Sequence, residues 1–298
     1  MPLNCVSAAD ASYECSCECG CRTRVPCYPT DMTDAQWTVL EPLLPVMLCL
    51  TLIGGRPEKH SRRTIIDALF YMVDNGIKWR AMPGDYPPWR TVYGYSTRWG
   101  ADKVTHQLVD ALRTQIRVAA GRNPQPSAGI IDSQSVAESA EGIVPAATSG
   151  YDGHKKVNGR KRHLLADTLG LLIAVVITAA NVQDRDAAAQ LLLRARARGI
   201  RLGCVFTDSA YHGPWTEWAE KKLGTIIEIV KRNDDTSQFI VVPRRWVVER
   251  TNAWTSRRRR CARGYERLTS QDVVMVHLAH ILIMTRRLAS LNQDATTL

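Results

Sequence analysis

HKKVNGRKRHLLADTLGLLIAVVITAANVQDRDAAAQLLLRARARG, residues 154–199, reads as two strands followed by a helix. Its middle, GLLIAVVITAA, is a continuous apolar run rich in β-branched residues, the pattern of a central strand covered on both faces. Before it, HKKVNGRKRHLLADT reads as a second, basic strand. After it, DRDAAAQLLLRARARG reads as a helix with acids at its start, arginines at its end and Gly199 beyond, the charge order that the helix dipole favours. Working outward, GIIDSQSV (129–136) is a short buried strand, and CVFTDSAYHG (204–213) is another that ends on Asp208. PWTEWAEKKLG is a helix opened by Pro214, and TIIEIVKR a fifth strand. The arginine-rich PRRWVVERTNAWTSRRRR (243–260) forms a helix, and DVVMVHLAHILIMTRRLA closes the domain as a mostly buried helix. The order β-β-β-α-β-α-β-α-α describes an α/β domain over 122–292.

Upstream of the linker GRNPQPSAG (121–129), residues 33–121 read as a small all-helical module. Thr33 or Asp34 caps a helix through DAQWTVLEPLL that Pro45 ends. Ser61 caps RRTIIDALFYMVDNG, where Ile65, Leu69, Met72 and Val73 recur at helical spacing and Gly76 is the stop. PPWRTVYGYSTRWG and DKVTHQLVDALRTQIRVAAG read as two more helices, and a helix-turn-helix-like pair is expected over 61–100. Residues 1–32 read as a disordered leader, consistent with sequence translated ahead of a natural start at Met32. Its cysteines, in ECSCECGCRTRVPC, alternate too tightly for a C-x2-C zinc knuckle and have no nearby histidine. Cys49, Cys204 and Cys261 are scattered and read as reduced thiols.

The net charge of +10 and pI of about 9.3 point to a polyanionic partner, nucleic acid before membrane. The longest apolar runs, 171–180 and 273–284, fall short of the roughly 20 residues that span a bilayer. No secretory signal pattern opens the chain.

Three acids stand out by context. Asp132 in IIDSQSV and Asp208 in VFTDSAYHG both follow apolar strand residues, where a carboxylate is costly to bury unless paired or metal-bound. Open α/β sheets place ligands beside strand ends. Glu249 is the one acid in the most basic helix, and Arg245, Glu249, Asn252 and Ser256 share its face. Singly, each acid has an ordinary reading: an Asx-turn for either aspartate, an i, i+4 pair with Arg245 for Glu249. His154, His163 and His212 lie near these acids in sequence and read as backbone or phosphate contacts rather than catalysts. Trp246 and Trp254 read as core.

The motifs YPTDMTDAQWTVLEPLLP, GGRPEKHSRRTIIDALFYMVDNGIKWRAMPGDYPPWRTVYGYSTRW, IIDSQSV, GYDGHKKVNGRKRHLLADTLGLL, NVQDRDAA and RRWVVERTNAW followed by YERL resemble bacterial insertion-sequence transposases of the Asp-Asp-Glu type, of the insertion-sequence-five family. The resemblance covers about Tyr28 to Leu288. It implies a ribonuclease H-like fold with a mixed five-stranded sheet flanked by helices. It also implies that Asp132, Asp208 and Glu249 are catalytic and hold Mg²⁺, with Mn²⁺ as a substitute. Their spacings, 208 − 132 = 76 and 249 − 208 = 41, leave no room for a large inserted domain. The implied activity is cleavage of transposon ends and joining of their 3′-OH to target DNA, with the helical module reading the terminal inverted repeats. DNA contacts are expected from Arg245, Arg257, Arg258, Lys155, Lys156, Arg160, Lys161 and Arg162. The implied partners are double-stranded DNA and a second copy on that DNA, in the cytoplasm at the nucleoid. Alternatives are a decayed or repurposed DNA-binding protein of the same family, and a stand-alone nuclease.

The chain departs from the family's Tyr-Arg-Glu-Lys signature. Arg245 and Glu249 match, but Val242 stands at the tyrosine position and Ser256 at the lysine position, with Arg257 adjacent. Asn252 stands where relatives often carry an aromatic, and VMLCLTLI (46–53) is unusually apolar for its place.

Overall fold

The computed structural model describes residues 27–52, 54–139, 143–230 and 245–296. The proposed leader over residues 1–26, and Val242, lie outside the described residues.

The N-terminal half is helical: α1 (Asp34–Leu40), α2 (Arg62–Asn75), α3 (Trp89–Ala101) and α4 (Val104–Ala119). Thr33 caps α1 in a capping box with Gln36. Gly76, at φ 66°, ends α2 in the left-handed conformation that glycine adopts without strain. Between α2 and α3 the chain runs from Gly76 to Pro88 through a 3-10 turn at Trp79–Ala81. That connection is far longer than the three- or four-residue turn of a helix-turn-helix, so the pair expected over 61–100 is not one. Residues 27–32, placed in the leader by sequence, pack into this module. Met32 is fully buried, Asp31 accepts from the Tyr86 hydroxyl at 2.7 Å, and Tyr28 stacks on Tyr86.

The C-terminal half carries one mixed sheet: β1 (Ala128–Ala137), β2 (Gly150–Asp152), β3 (Val157–Asp167), β4 (Leu172–Ala179), β5 (Cys204–Thr207) and β6 (Ile226–Ile229). Across it the order is β4-β3-β1-β5-β6, with β3 antiparallel to β1 and β4, and β1, β5 and β6 parallel. The five expected strands are present, but GLLIAVVITAA, expected as a central strand, is β4 and among the described residues pairs with β3 alone, at the sheet edge, its apolar faces covered by α5 on one side and by α4 and α9 on the other. The short β2, which extends β3 antiparallel, is a sixth that three residues could not announce. The helices are α5 (Asp184–Arg196), α6 (Trp215–Trp218) running into a π turn (Ala219–Leu223), α7 (Arg245–Ser256), α8 (Arg259–Ala262) and α9 (Thr269–Thr296). This is the mixed α/β architecture of a ribonuclease H-like domain.

Strand alternation sorts the sheet into two faces. Ile131, Leu165, Val176 and Val205 pack under α5, while Ile130, Leu164, Val175 and Phe206 pack toward α9 and the N-terminal helices. The second core is continuous from Ile65 and Leu69 of α2 through Leu112 of α4 to Leu282 of α9. Among the described residues, α9 alone is long and apolar enough to cross a membrane, and it is mostly buried inside the protein.

That core holds histidines. His277 and His280 of α9 bond to Thr105 and Thr255 at 3.2 and 3.0 Å, and His106 lies edge-on to His277. Burial holds all three below the ordinary imidazole range, His280 at about 3 and His106 at about 4. Groups whose folded pKa is depressed contribute fully above their unfolded value, near 6.5, and lose that contribution as pH falls toward the folded value. Each costs about 1.4 kcal/mol per pH unit in that window. The melting temperature should therefore drop clearly between pH 7 and pH 5 in calorimetry. A flat profile would mean that these imidazoles are already charged or exposed when folded.

Candidate active site

Asp132 lies on β1, where its side chain falls on the α7–α9 face with Ile130 and Gln134. β5 runs parallel beside β1 and pairs as far as Ile130 with Phe206. Two residues beyond that pair stand Asp132, still within β1, and Asp208, the first residue after β5. Asp208 ends β5 and caps the following 3-10 turn, accepting from Ala210 N–H at 3.0 Å. Both aspartates are half-buried.

The third acid arrives on α7, which packs on that face. Val247 and Val248 are buried, Asn252 donates from Nδ2 to Asp132 Oδ2 at 2.7 Å, and Ser256 donates to Gln134 at 2.9 Å. These two bonds lay α7 along β1. Glu249 stands one turn before Asn252, a separation of about 5–6 Å between Cβ atoms, and is exposed. Among the described residues no three His, Cys, Asp or Glu side chains are gathered closely enough to cage an ion. Asn252 thus ties α7, and with it the backbone that bears Glu249, to Asp132, while Asp208 follows the neighbouring parallel strand, without a closed three-carboxylate cage among the described residues. The donor chemistry still suits a hard cation: carboxylates, plus the buried Asn252 Oδ1, which has no hydrogen-bond partner.

The basic residues divide by strand face and helix side. Lys155 and Lys156 are exposed in the turn before β3, and the Lys155 ammonium donates to the Ser133 carbonyl at 3.2 Å, next to Asp132. Arg160, Lys161 and Arg162 are buried. Arg160 pairs with Asp272 at 2.9 Å and donates to the Glu266 and Arg267 carbonyls. Lys161 pairs with Asp184 at 3.0 Å and Asp152 at 3.6 Å on the opposite face. Arg162 donates to the Cys261 carbonyl at 3.0 Å. In this conformation these three tie strands to helices and are not a phosphate-facing surface, contrary to their sequence reading.

The Arg257–Arg260 run alternates. Arg257 and Arg259 are exposed. Arg258 pairs with Asp74, and Arg260 with Glu266 at 2.7 Å and the Ile77 carbonyl at 2.9 Å. A Cβ on Gly76 would stand 2.8 Å from Arg259 Cβ, so α8 sits directly on the end of α2. Arg245 begins α7.

His154 and His212 are exposed; His163 is buried on the α5 face, bonded to Thr178 at 2.9 Å, with burial holding it at about 4. Trp246 and Trp254 are not core as expected. Trp246 is 41% exposed, and the two sandwich the Arg250 guanidinium at 4.5 and 4.6 Å. Sequence reasoning also passed over Tyr211. Its buried hydroxyl lies near Ser133 without a hydrogen bond of ordinary geometry, and burial, then the Asp184, Asp132 and Asp208 carboxylates, push its pKa up. Its position three residues after a strand-end acid was the available signal.

Two family profiles match the chain. One describes transposases of the IS4/5 family and matches residues 32–109. The other, the transposase DDE domain, matches residues 123–284, more than half of the chain. No curated protein matches. Asp132, Asp208 and Glu249 all fall within the stretch that the DDE-domain profile matches, and the chain belongs to the DDE transposases of the IS4/IS5 type.

Proposed function

We propose that this transposase binds the inverted repeats at its element's ends, cleaves there, and joins the freed 3′-OH to target DNA at a single site formed by Asp132, Asp208 and Glu249. The observation that carries the reading is Asp132 on β1 beside the parallel strand β5, which Asp208 follows, with α7 fastened to β1 by Asn252 and Ser256. DDE domains generally use divalent metals. Here Asp132, Asp208 and Glu249 would hold two Mg²⁺ or Mn²⁺ ions, which when bound supply activation of the attacking oxygen and neutralisation of the leaving 3′ oxygen. The chain's own work is to fix carboxylates on a rigid sheet, so that the scissile phosphate meets oxygen ligands already in place. The exposed Lys155, Lys156, Arg257 and Arg259 flank that face and hold the DNA backbone by charge. Water as attacking group nicks an end; the freed 3′-OH as attacking group joins it. No covalent protein–DNA link is needed.

The helical half, 33–121, is proposed to contact the ends, and a dimer on DNA would pair them. The protein works where the DNA is, in the cytoplasm. The test is a supercoiled plasmid carrying the reading frame with its native flanking DNA. Mg²⁺-dependent nicks at the element's ends, followed by joined products, are expected. Nicks without joining would favour a nuclease, and binding without nicks a decayed copy.

A subsidiary prediction separates phosphate contacts from structural arginines. Arg257→Ala should leave the melting temperature nearly unchanged. It should reduce the slope of log K against log salt by about one, measured by fluorescence anisotropy on duplex DNA. An unchanged slope would remove Arg257 from the DNA path.

A further inference from the structure

Asn252 sits in the middle of α7, 7% exposed, at the seam between that helix and β1. Its Nδ2 donates to Asp132 Oδ2 at 2.7 Å. The amide orientation follows from chemistry, since an ionised carboxylate only accepts. The other end of the amide, Oδ1, is buried with no hydrogen-bond partner. Packing alone does not account for this arrangement. A leucine would fill similar space without burying an unsatisfied oxygen, and asparagine is a poor residue for a helix interior. The buried amide is spent on the one carboxylate that the catalytic reading needs most.

We propose that Asn252 is a positioning residue for the cation site: its amide clamps one oxygen of Asp132 and so fixes which oxygen is offered to the ion. The inference rests on the proposed function and names a member of that site that the acid triad does not include. A carboxylate on a strand can rotate about χ2, and an ion gains most from a ligand already oriented. Hydrogen bonds to metal-ligating carboxylates commonly matter about 10–100-fold in metal affinity. The clamp also joins the two halves of the site, because the same helix carries Glu249 one turn away. Fixing Asp132 to Asn252 fixes the distance from Asp132 to the backbone that bears Glu249.

The test uses the full chain without DNA and Mn²⁺ as the probe, with free Mn²⁺ read by electron paramagnetic resonance. Asn252→Leu should weaken Mn²⁺ binding by about tenfold, while its metal-free melting temperature stays close to the parent's. Asn252→Gln, which retains an amide, should recover part of the affinity. A merely structural asparagine would show the reverse: a lowered metal-free melting temperature with unchanged Mn²⁺ affinity. Unchanged or tighter Mn²⁺ binding in Asn252→Leu overturns the proposal. If the leucine variant loses cooperative unfolding, Asn252→Ala, which only removes atoms, carries the same comparison. Asp132→Asn is the control for the underlying reading. If it binds Mn²⁺ as the parent does, the acid site itself fails; if it loses binding while Asn252→Leu keeps it, only the clamp fails.

Discussion

Asp132→Asn should abolish Mg²⁺-dependent strand cleavage, with a loss of at least a thousandfold, about 4 kcal/mol of barrier, while binding to the element's flanking DNA persists. The substitution keeps the shape of the side chain and its place on β1. It removes the charge that makes Asp132 a ligand for a hard cation. In the proposed function binding is carried elsewhere, by exposed residues such as Lys155, Lys156, Arg257 and Arg259. Removing a nearby negative charge, if anything, tightens a phosphate contact. Gel-shift and nicking assays on one plasmid therefore separate the two roles. Loss of binding in parallel with cleavage would mean that the asparagine disturbs the fold. Retained cleavage would remove Asp132 from the chemistry.

Arg160→Ala should destabilise the protein by about 3–5 kcal/mol, the usual cost of breaking a buried ion pair by deleting one partner. Arg160 is 2% exposed and Asp272, its partner, 5%. The same guanidinium donates to the Glu266 and Arg267 carbonyls at 2.8 Å each and to the Thr148 hydroxyl at 2.9 Å. Its removal leaves a buried carboxylate and carbonyl groups without their donor, and cuts β3 loose from the start of α9. Urea unfolding followed by circular dichroism reads the loss directly. A variant as stable as the parent would show that Arg160 is free to leave the core, which would restore the phosphate role read from the sequence. Arg257→Ala is the counterpart on the exposed side, with little effect on stability.

The contrast shows what residue types and spacing carry. GLLIAVVITAA was legible as a buried strand because Thr178 alone interrupts its apolar run, but its expected central place was not borne out: as β4 it pairs with β3 alone among the described residues. The aspartates were legible because each follows an apolar stretch, but only Asp208 stands at a strand end; Asp132 lies in the middle of β1. GRKRH was misleading for a physical reason: alternate residues of a strand face opposite ways, and three consecutive charges say nothing about what lies above each face. Arg160 and Arg162 meet the elements around α8 and α9, which follow them by about a hundred positions, while Lys161 meets Asp152 and Asp184 on the other side. The arginine run splits likewise. Arg258 and Arg260 cover the end of α2, a contact between distant parts of the chain that no local pattern encodes. Trp246 and Trp254 were read as core by size, yet at i and i+8 they sandwich the Arg250 guanidinium, which donates to the Leu169 carbonyl in the turn between β3 and β4. Asn252 was visible as a departure, but its partner is 120 residues away in sequence.

The proposed function requires Asp132, Asp208 and Glu249 to converge on one cation site. Crystals of the full chain soaked in Mn²⁺ test it most directly, through an anomalous difference map. The account predicts density for Mn²⁺ between Asp132 and Asp208, with the Glu249 carboxylate turned in as a further ligand. A map with Mn²⁺ bound elsewhere, and Glu249 still facing solvent, would contradict it.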